Sequence, residues 1–359
     1  MDYAARLERL RHRLQGERTD ALVVTHLPNL RYLVGFTGSN GLLTLTADGL
    51  TFFSDSRYRE QAAQEVTGAR VVIPARGDLI SAAAKRLARC RRVALEAEHL
   101  SWGDWLRWRA AVGSRPRLVP AYGWVEQLRA IKAPAEIAAI RGAIALAAGV
   151  LPAVLRTVRP GLSEQGLAAR LEFAMRRAGG DGAAFETIVA SGARGALVHG
   201  RASAKPLRSG EVVILDYGVW RGGYCSDMTR TFALGRASAK ARRIFRAVRQ
   251  AQEAALAACR PDIPASRVDA AARDVLAGHG LAEYFVHSTG HGLGLEVHER
   301  PRLARRSNER LAVGNVITIE PGVYLPGWGG VRIEDVVAIT PRGAEVLTPA
   351  SSDLMEVAG

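Results

Sequence analysis

Cysteine is scarce: Cys90, Cys225 and Cys259 are an odd number, widely spaced and without a CxxC pair. That argues against a disulfide framework and a zinc knuckle, and predicts reduced, unpaired thiols. Aromatic residues make up only 6% of the chain, and no stretch approaches the roughly 18 consecutive apolar residues of a membrane span. Lysine is also rare, four of 49 basic residues, so the net charge of +14 is carried almost wholly by arginine. Beside so much alanine and glycine, that bias reads as GC-rich coding. The densest basic clusters, at 85–92 and 300–306, lack interleaved aromatics on which bases could stack. Neither a nucleic-acid nor a membrane partner is expected. The first twenty residues carry charge at helical spacing with no apolar segment before a small-residue cleavage site, so the expected location is cytoplasmic.

Apolar residues at 48% and charged residues at 23% are ordinary globular composition, and 359 residues exceed what one core usually supports. Two domains are expected. In the first third, DALVVT, LLTLTA, TFFSD, RVVIP and RVALE read as strands, with helical periodicity over 57–66, 78–90 and 101–112. This alternation predicts an α/β domain over 1–125. GFTGSNG at 35–41 lacks a GKS/T ending and opens no helix, so it is a turn-rich loop and not a phosphate cradle. Pro134 then starts a long helix, and further helices are expected near 163–179, 238–258 and 266–279. Between and after them EVVILDYGV, YCSDMTRTFAL, VITIEPGVY and VRIEDVVAIT read as strands, which predicts an α+β domain over 126–359.

Those strands carry unusual acids. Asp216 ends a near-continuous apolar run, Asp227 follows eleven residues later across a hairpin, and Glu320 and Glu334 sit in two more apolar strands. A carboxylate buried in such a strand is costly unless its charge is compensated. Taken singly, each would be an ordinary turn or edge residue. Together, packed carboxylates cannot all ionise without cations between them. His291, flanked by Gly290 and Gly292, supplies an imidazole with close backbone access. Four carboxylates balance two divalent cations, and an oxygen-rich set with one imidazole suits Mn²⁺ better than a structural zinc. Two such ions about 3.5–4 Å apart would lower the pKa of water and polarise a carbonyl.

At these residues the chain resembles the aminopeptidase P and prolidase branch of the pita-bread metallopeptidases. HSTGHGLGLEVHE matches the branch's histidine signature, and RYLVGFTGSNG with FFSDSRYREQA resembles a creatinase-like N-terminal domain. The resemblance implies that Asp216 ligates one metal, that His291 and Glu320 ligate the other, and that Asp227 and Glu334 bridge. It further implies that His298 contacts the substrate carbonyl or shuttles a proton, and that His199 and His287 wall a proline pocket. Glu320 would relay a proton, Arg332 would orient a ligand carboxylate, and Tyr324 would either border the pocket or pack behind it. Expected cofactors are two divalent ions, Mn²⁺ first, with Co²⁺, Zn²⁺ or Fe²⁺ as alternatives. The expected substrate is a peptide with proline at its second position, and the expected assembly is a homodimer. A methionine-aminopeptidase-like exopeptidase and a non-catalytic binding module on the same scaffold are the alternatives. Candidates for a carboxylate clamp are His298, Arg332 and Arg57; with no reason in the sequence for a closed pocket, substrates longer than two residues are expected.

Overall fold

The computed structural model describes residues 2–75 and 77–358. They form two compact units, Met1–Arg129 and Ala130–Gly359. The first begins with α1 (Tyr3–Gly16), β1 (Ala21–Val24), α2 (Leu27–Val34), β2 (Leu42–Thr46), β3 (Gly49–Phe53) and α3 (Arg59–Glu65). It continues with β4 (Arg70–Val72), α4 (Leu79–Leu87), β5 (Arg92–Glu96), α5 (Trp102–Val112), β6 (Arg117–Ala121) and α6 (Trp124–Arg129). The strands make one mixed sheet in the order β4-β3-β2-β1-β5-β6. Val23, Phe53, Leu87, Val93 and Trp108 are buried together on it. Strand β6 was not anticipated because RLVPA carries Pro120, which cannot donate to a ladder; it lies at the sheet edge, where that defect is tolerated.

The second unit opens with α7 (Pro134–Leu155) and α8 (Glu164–Arg177). Pro134 begins α7, and Glu136 reaches back to accept from the Ala133 N–H at 3.0 Å. Ser163 caps α8 by accepting from the Gly166 N–H at 3.0 Å. Helix α7 alone among the described residues is long and apolar enough to cross a membrane. Here Ala143, Ala147 and Leu151 pack with Leu167 and Leu171 of α8 in a buried core, as a core helix does.

Four short strands and one long one follow: β7 (Gly182–Ala183), β8 (Ile188–Ser191), β9 (Val212–Tyr217), β10 (Val219–Arg221) and β11 (Tyr224–Cys225). Next come β12 (Met228–Leu234), α9 (Ala239–Ala258), α10 (Ala265–Gly278), β13 (Gly290–Gly292) and β14 (Glu299–Leu303). The chain closes with β15 (Val316–Ile319), β16 (Gly322–Leu325), β17 (Gly329–Arg332), β18 (Asp335–Thr340), β19 (Gly343–Val346) and β20 (Met355–Val357). Two sheets, β20-β12-β9-β8 and β14-β13-β15-β18-β19, carry the chemistry. The architecture is the α+β arrangement expected, with an α/β domain before it.

Two strands read from the sequence as continuous are in fact broken. VITIEPGVY divides into β15 and β16 around Glu320 and Pro321, and VRIEDVVAIT divides into β17 and β18 around Ile333 and Glu334. The breaks hold because their backbone groups pair elsewhere: Glu320 N–H donates to Thr289 O at 2.8 Å, and Glu334 N–H to Thr229 O at 3.2 Å.

Candidate metal centre

Asp216 lies in β9, and its register partner on β12 is Thr229. Asp227 immediately precedes β12, Glu320 and Glu334 occupy the two strand breaks, and His291 is the middle residue of β13. Glycine beside His291 is a packing requirement. A Cβ on Gly290 would stand 1.9 Å from Thr318 O, and one on Gly292 would stand 2.0 Å from Arg300 O. Only hydrogen at both positions lets β13 sit between β14 and β15 and present the imidazole inward.

Ligand atoms of Asp227, His291 and Glu334 all lie within 4.8 Å of one another. His291 Nε2 is 3.4 Å from Glu320 Oε1 and 3.7 Å from Asp227 Oδ2. Its Nδ1 is 3.0 Å from Gly292 O, and a carbonyl only accepts, so the proton is on Nδ1 and the Nε2 lone pair faces the carboxylates. That is the tautomer a metal-ligating histidine needs. Burial lowers His291 to about 4, with His298 adding repulsion, so it stays neutral at pH 7.

The acids show the opposite strain. Burial pushes the Glu320 carboxyl up to about 8, Arg332 pulling it down and Asp216 adding to the rise. Burial also raises Asp227 well above the usual carboxylate range, reinforced by Glu334 and Asp216. Glu334 is raised in the same way, with Glu320 and Asp216 as its repelling neighbours. One oxygen of this cluster, Asp216 Oδ1, is buried without a hydrogen-bond donor among the described residues. Three acids that resist ionisation, an orphaned carboxylate oxygen and an inward imidazole lone pair form a donor set that fits hard divalent cations.

Arg332 stands behind the acids, 2% exposed. Its Nη2 donates to Asp216 Oδ2 at 2.6 Å, its Nε to Thr229 Oγ1 at 3.0 Å, and its Nη1 to Tyr324 Oη at 2.7 Å and Val198 O at 3.1 Å. Tyr324 passes its own proton to His287 Nε2 at 2.8 Å, because His287 Nδ1 must donate to Ser288 O at 2.8 Å. His287 is therefore a neutral ring with both nitrogens engaged, and burial followed by the charge of Arg332 lowers it to about 3. It offers a face and C–H edges, not hydrogen bonds. Tyr324 does not line the cavity: its hydroxyl is held between Arg332 and His287, so of its two expected places the structure has the one behind the wall.

A cavity of about 620 Å³ opens over these groups, and His199, His287 and His298 line it together with the acids. The His291 and His298 rings meet edge to face with centroids 4.4 Å apart. Burial lowers His298, with His199 next. Arg57, the third clamp candidate, is paired with Asp55 at 2.9 Å within the N-terminal unit.

Two residues of the site were missed in the sequence. Arg302 lines the cavity, is exposed, and has no ion-pair partner among the described residues; its charge contributes to lowering both His291 and His298. It lies in the basic cluster at 300–306 that composition explains as coding bias, and its only local signal is its place on β14, with His291 as register partner. Thr229, two residues after Asp227, is the other: its hydroxyl touches both Arg332 and Glu334.

Residues 138–341 match the model of metallopeptidase family M24, and residues 6–131 match the Creatinase/Prolidase N-terminal domain. The chain belongs to metallopeptidase family M24. An uncharacterized peptidase of Bacillus subtilis, YqhT, is 41% identical over 98% of this chain and 99% of its own. The solved Xaa-Pro dipeptidase from Bacillus anthracis is 38% identical with a TM-score of 0.95, covering 98% of this chain and 99% of that one. An X-Pro aminopeptidase from Thermotoga maritima is 35% identical with a TM-score of 0.88, covering 96% and 100%. These matches bear out the resemblance to the prolidase and aminopeptidase P branch; the M24 family implies divalent metal ions, and Asp227, His291 and Glu334 form a group that could hold one.

Proposed function

We propose that this chain is a dinuclear-metal exopeptidase that hydrolyses the Xaa-Pro bond, with Xaa-Pro dipeptides as its preferred substrates. The observation that carries the reading is the floor of the cavity, where Asp227, Glu320 and Glu334 are all pushed toward their neutral forms beside a neutral His291. Like charges packed this closely ionise together only with cations between them. Asp216, Asp227, His291, Glu320 and Glu334 would hold the ions, with Asp227 and Glu334 shared between them. Bound there, two divalent cations would supply Lewis acidity toward the carbonyl and a lowered pKa for the attacking water.

The chain's own residues do the rest. His298 hydrogen-bonds the oxygen of the carbonyl before proline as charge develops on it. The proline nitrogen must gain a proton as the C–N bond breaks, and Glu320 takes that proton from the attacking water and passes it to the nitrogen. His287, with its nitrogens occupied, packs its face on the pyrrolidine ring, and His199 closes the other side. Arg302 favours dipeptides: an unpaired guanidinium at a cavity wall suits the free carboxylate of a C-terminal proline. A cytoplasmic location is supported by the three free thiols and Mn²⁺ by the oxygen-rich donor set, while a homodimer follows from the family resemblance alone. A titration of metal-free protein with Mn²⁺, followed by assays on a panel of Xaa-Pro substrates and matched Xaa-Ala controls, tests the proposal. Metal-dependent hydrolysis confined to Xaa-Pro is expected; equal cleavage of Xaa-Ala, or none at all, would overturn it.

A further inference from the structure

We propose that Thr229 is a positioning residue of the metal centre, a one-way hydrogen-bond bridge whose direction Arg332 dictates and whose proton orients the Glu334 carboxylate. The inference rests on the metal-centre reading above.

Thr229 is fully buried in β12, opposite Asp216. Its Oγ1 is 3.0 Å from Arg332 Nε and 2.8 Å from Glu334 Oε2. A guanidinium nitrogen can only donate, so the hydroxyl oxygen accepts from Arg332. The single hydroxyl proton then has one destination, Glu334 Oε2. Arg332 is itself held in place by Asp216 at 2.6 Å, so the bridge runs from one acid of the cluster to another: Asp216, Arg332, Thr229, Glu334.

The main chain aims the same residue at the same target. Thr229 O accepts from the Glu334 N–H at 3.2 Å, and Arg230 Nη1 donates both to Thr229 O at 2.9 Å and to Glu334 O at 2.6 Å. Glu334 is thus held through its N–H, its carbonyl and one carboxylate oxygen, all by way of Thr229 or its neighbour. A residue at a strand break needs such fastening, because no ladder continues through it. Threonine suits the task because two heavy atoms on Cβ restrict χ1.

Serine and alanine at position 229 both lack the γ-methyl and differ by the hydroxyl alone. Mn²⁺ binding to metal-free wild type, Thr229→Ser and Thr229→Ala is measured by titration calorimetry, with elemental analysis for the number of ions and metal-free Tm as the folding control. Thr229→Ala is expected to bind at least one ion about 10- to 100-fold more weakly, the usual effect of losing a group that orients a ligand, while Thr229→Ser stays close to wild type. A purely structural role would lower Tm in both variants without separating their Mn²⁺ affinities. If Thr229→Ala does not fold, Thr229→Val removes the same hydroxyl while keeping the side-chain volume, and the same loss is expected of it. Equal Mn²⁺ affinity for the serine and alanine variants would overturn this inference and leave the metal reading standing; a wild type that binds no divalent ion would overturn both.

Discussion

Arg332 and Asp216 are joined by a 2.6 Å contact between Nη2 and Oδ2, with the arginine side chain 3% exposed and the aspartate side chain 13%. The pair leaves Oδ1 of Asp216 buried with no donor among the described residues, so the arginine holds one oxygen while the other stays unpartnered. Arg332→Lys keeps the charge but cannot reach Asp216, Thr229 and Tyr324 from one planar group. It is expected to fold and to lose about 10- to 100-fold in kcat/KM, as other losses of ligand-orienting groups do. Arg332→Ala strands a buried carboxylate and is expected to cost about 3–5 kcal/mol of stability. Steady-state kinetics and thermal unfolding separate the two variants, and a lysine enzyme with wild-type kcat/KM would refute the orienting role.

Removal of metal should abolish hydrolysis, and Mn²⁺ or Co²⁺ should restore it. Because Asp227 and Glu334 are proposed to be shared, Asp227→Ala is expected to lose both ions together, whereas His291→Ala should leave one site partly occupied. Elemental analysis after dialysis counts the ions; two retained in Asp227→Ala would contradict the shared role.

The metal-free protein should lose stability as pH rises from 6.5 to 8. Glu320 stands at about 8 in the folded chain against an ordinary 4.5, so its contribution is complete below about pH 4.5 and is lost as pH climbs through 8. Asp227, raised by burial and then by Glu334, and Glu334, raised by burial and then by Glu320, act in the same direction. His287 and His291, lowered to about 3 and about 4 from 6.5, contribute stability above 6.5 that is lost as pH falls, so they stay silent in this window. Saturating Mn²⁺ should remove the decline. Calorimetric Tm of chelated protein at pH 6.5 and 8.0 checks this, and a Tm that climbs across the interval would contradict it.

Substrate length should follow Arg302. A charge-assisted contact with a terminal carboxylate contributes about 1.5–3 kcal/mol, so amidating an Xaa-Pro dipeptide is expected to lower kcat/KM by roughly ten- to hundredfold. Arg302→Ala should impose a similar loss on the free dipeptide and little further loss on the amide. Comparison of Xaa-Pro, Xaa-Pro-amide and Xaa-Pro-Xaa in both proteins decides it. Equal rates on all three would return the reading to an aminopeptidase, the length preference expected from the sequence.

The long helices and the acidic and imidazole residues of the site are legible in the chain alone. Pro134 and Ser163 mark helix starts through local capping that needs no distant partner, and apolar runs ending in acids declare costly carboxylates wherever they fold. Glycine on both sides of His291 likewise announces close packing before its neighbours are known. Tertiary structure alone decided which way the protons point and where the strands break. Thr229 and Arg332 are 103 positions apart, yet their contact sets the direction of a hydroxyl; His287 and Tyr324, 37 apart, set a tautomer. Arg302 reads as one more arginine in a basic cluster until β14 is laid beside β13. Periodicity reports how a side chain sits on its own element, whereas hydrogen-bond direction and charge environment depend on groups delivered by other strands, which no local pattern contains.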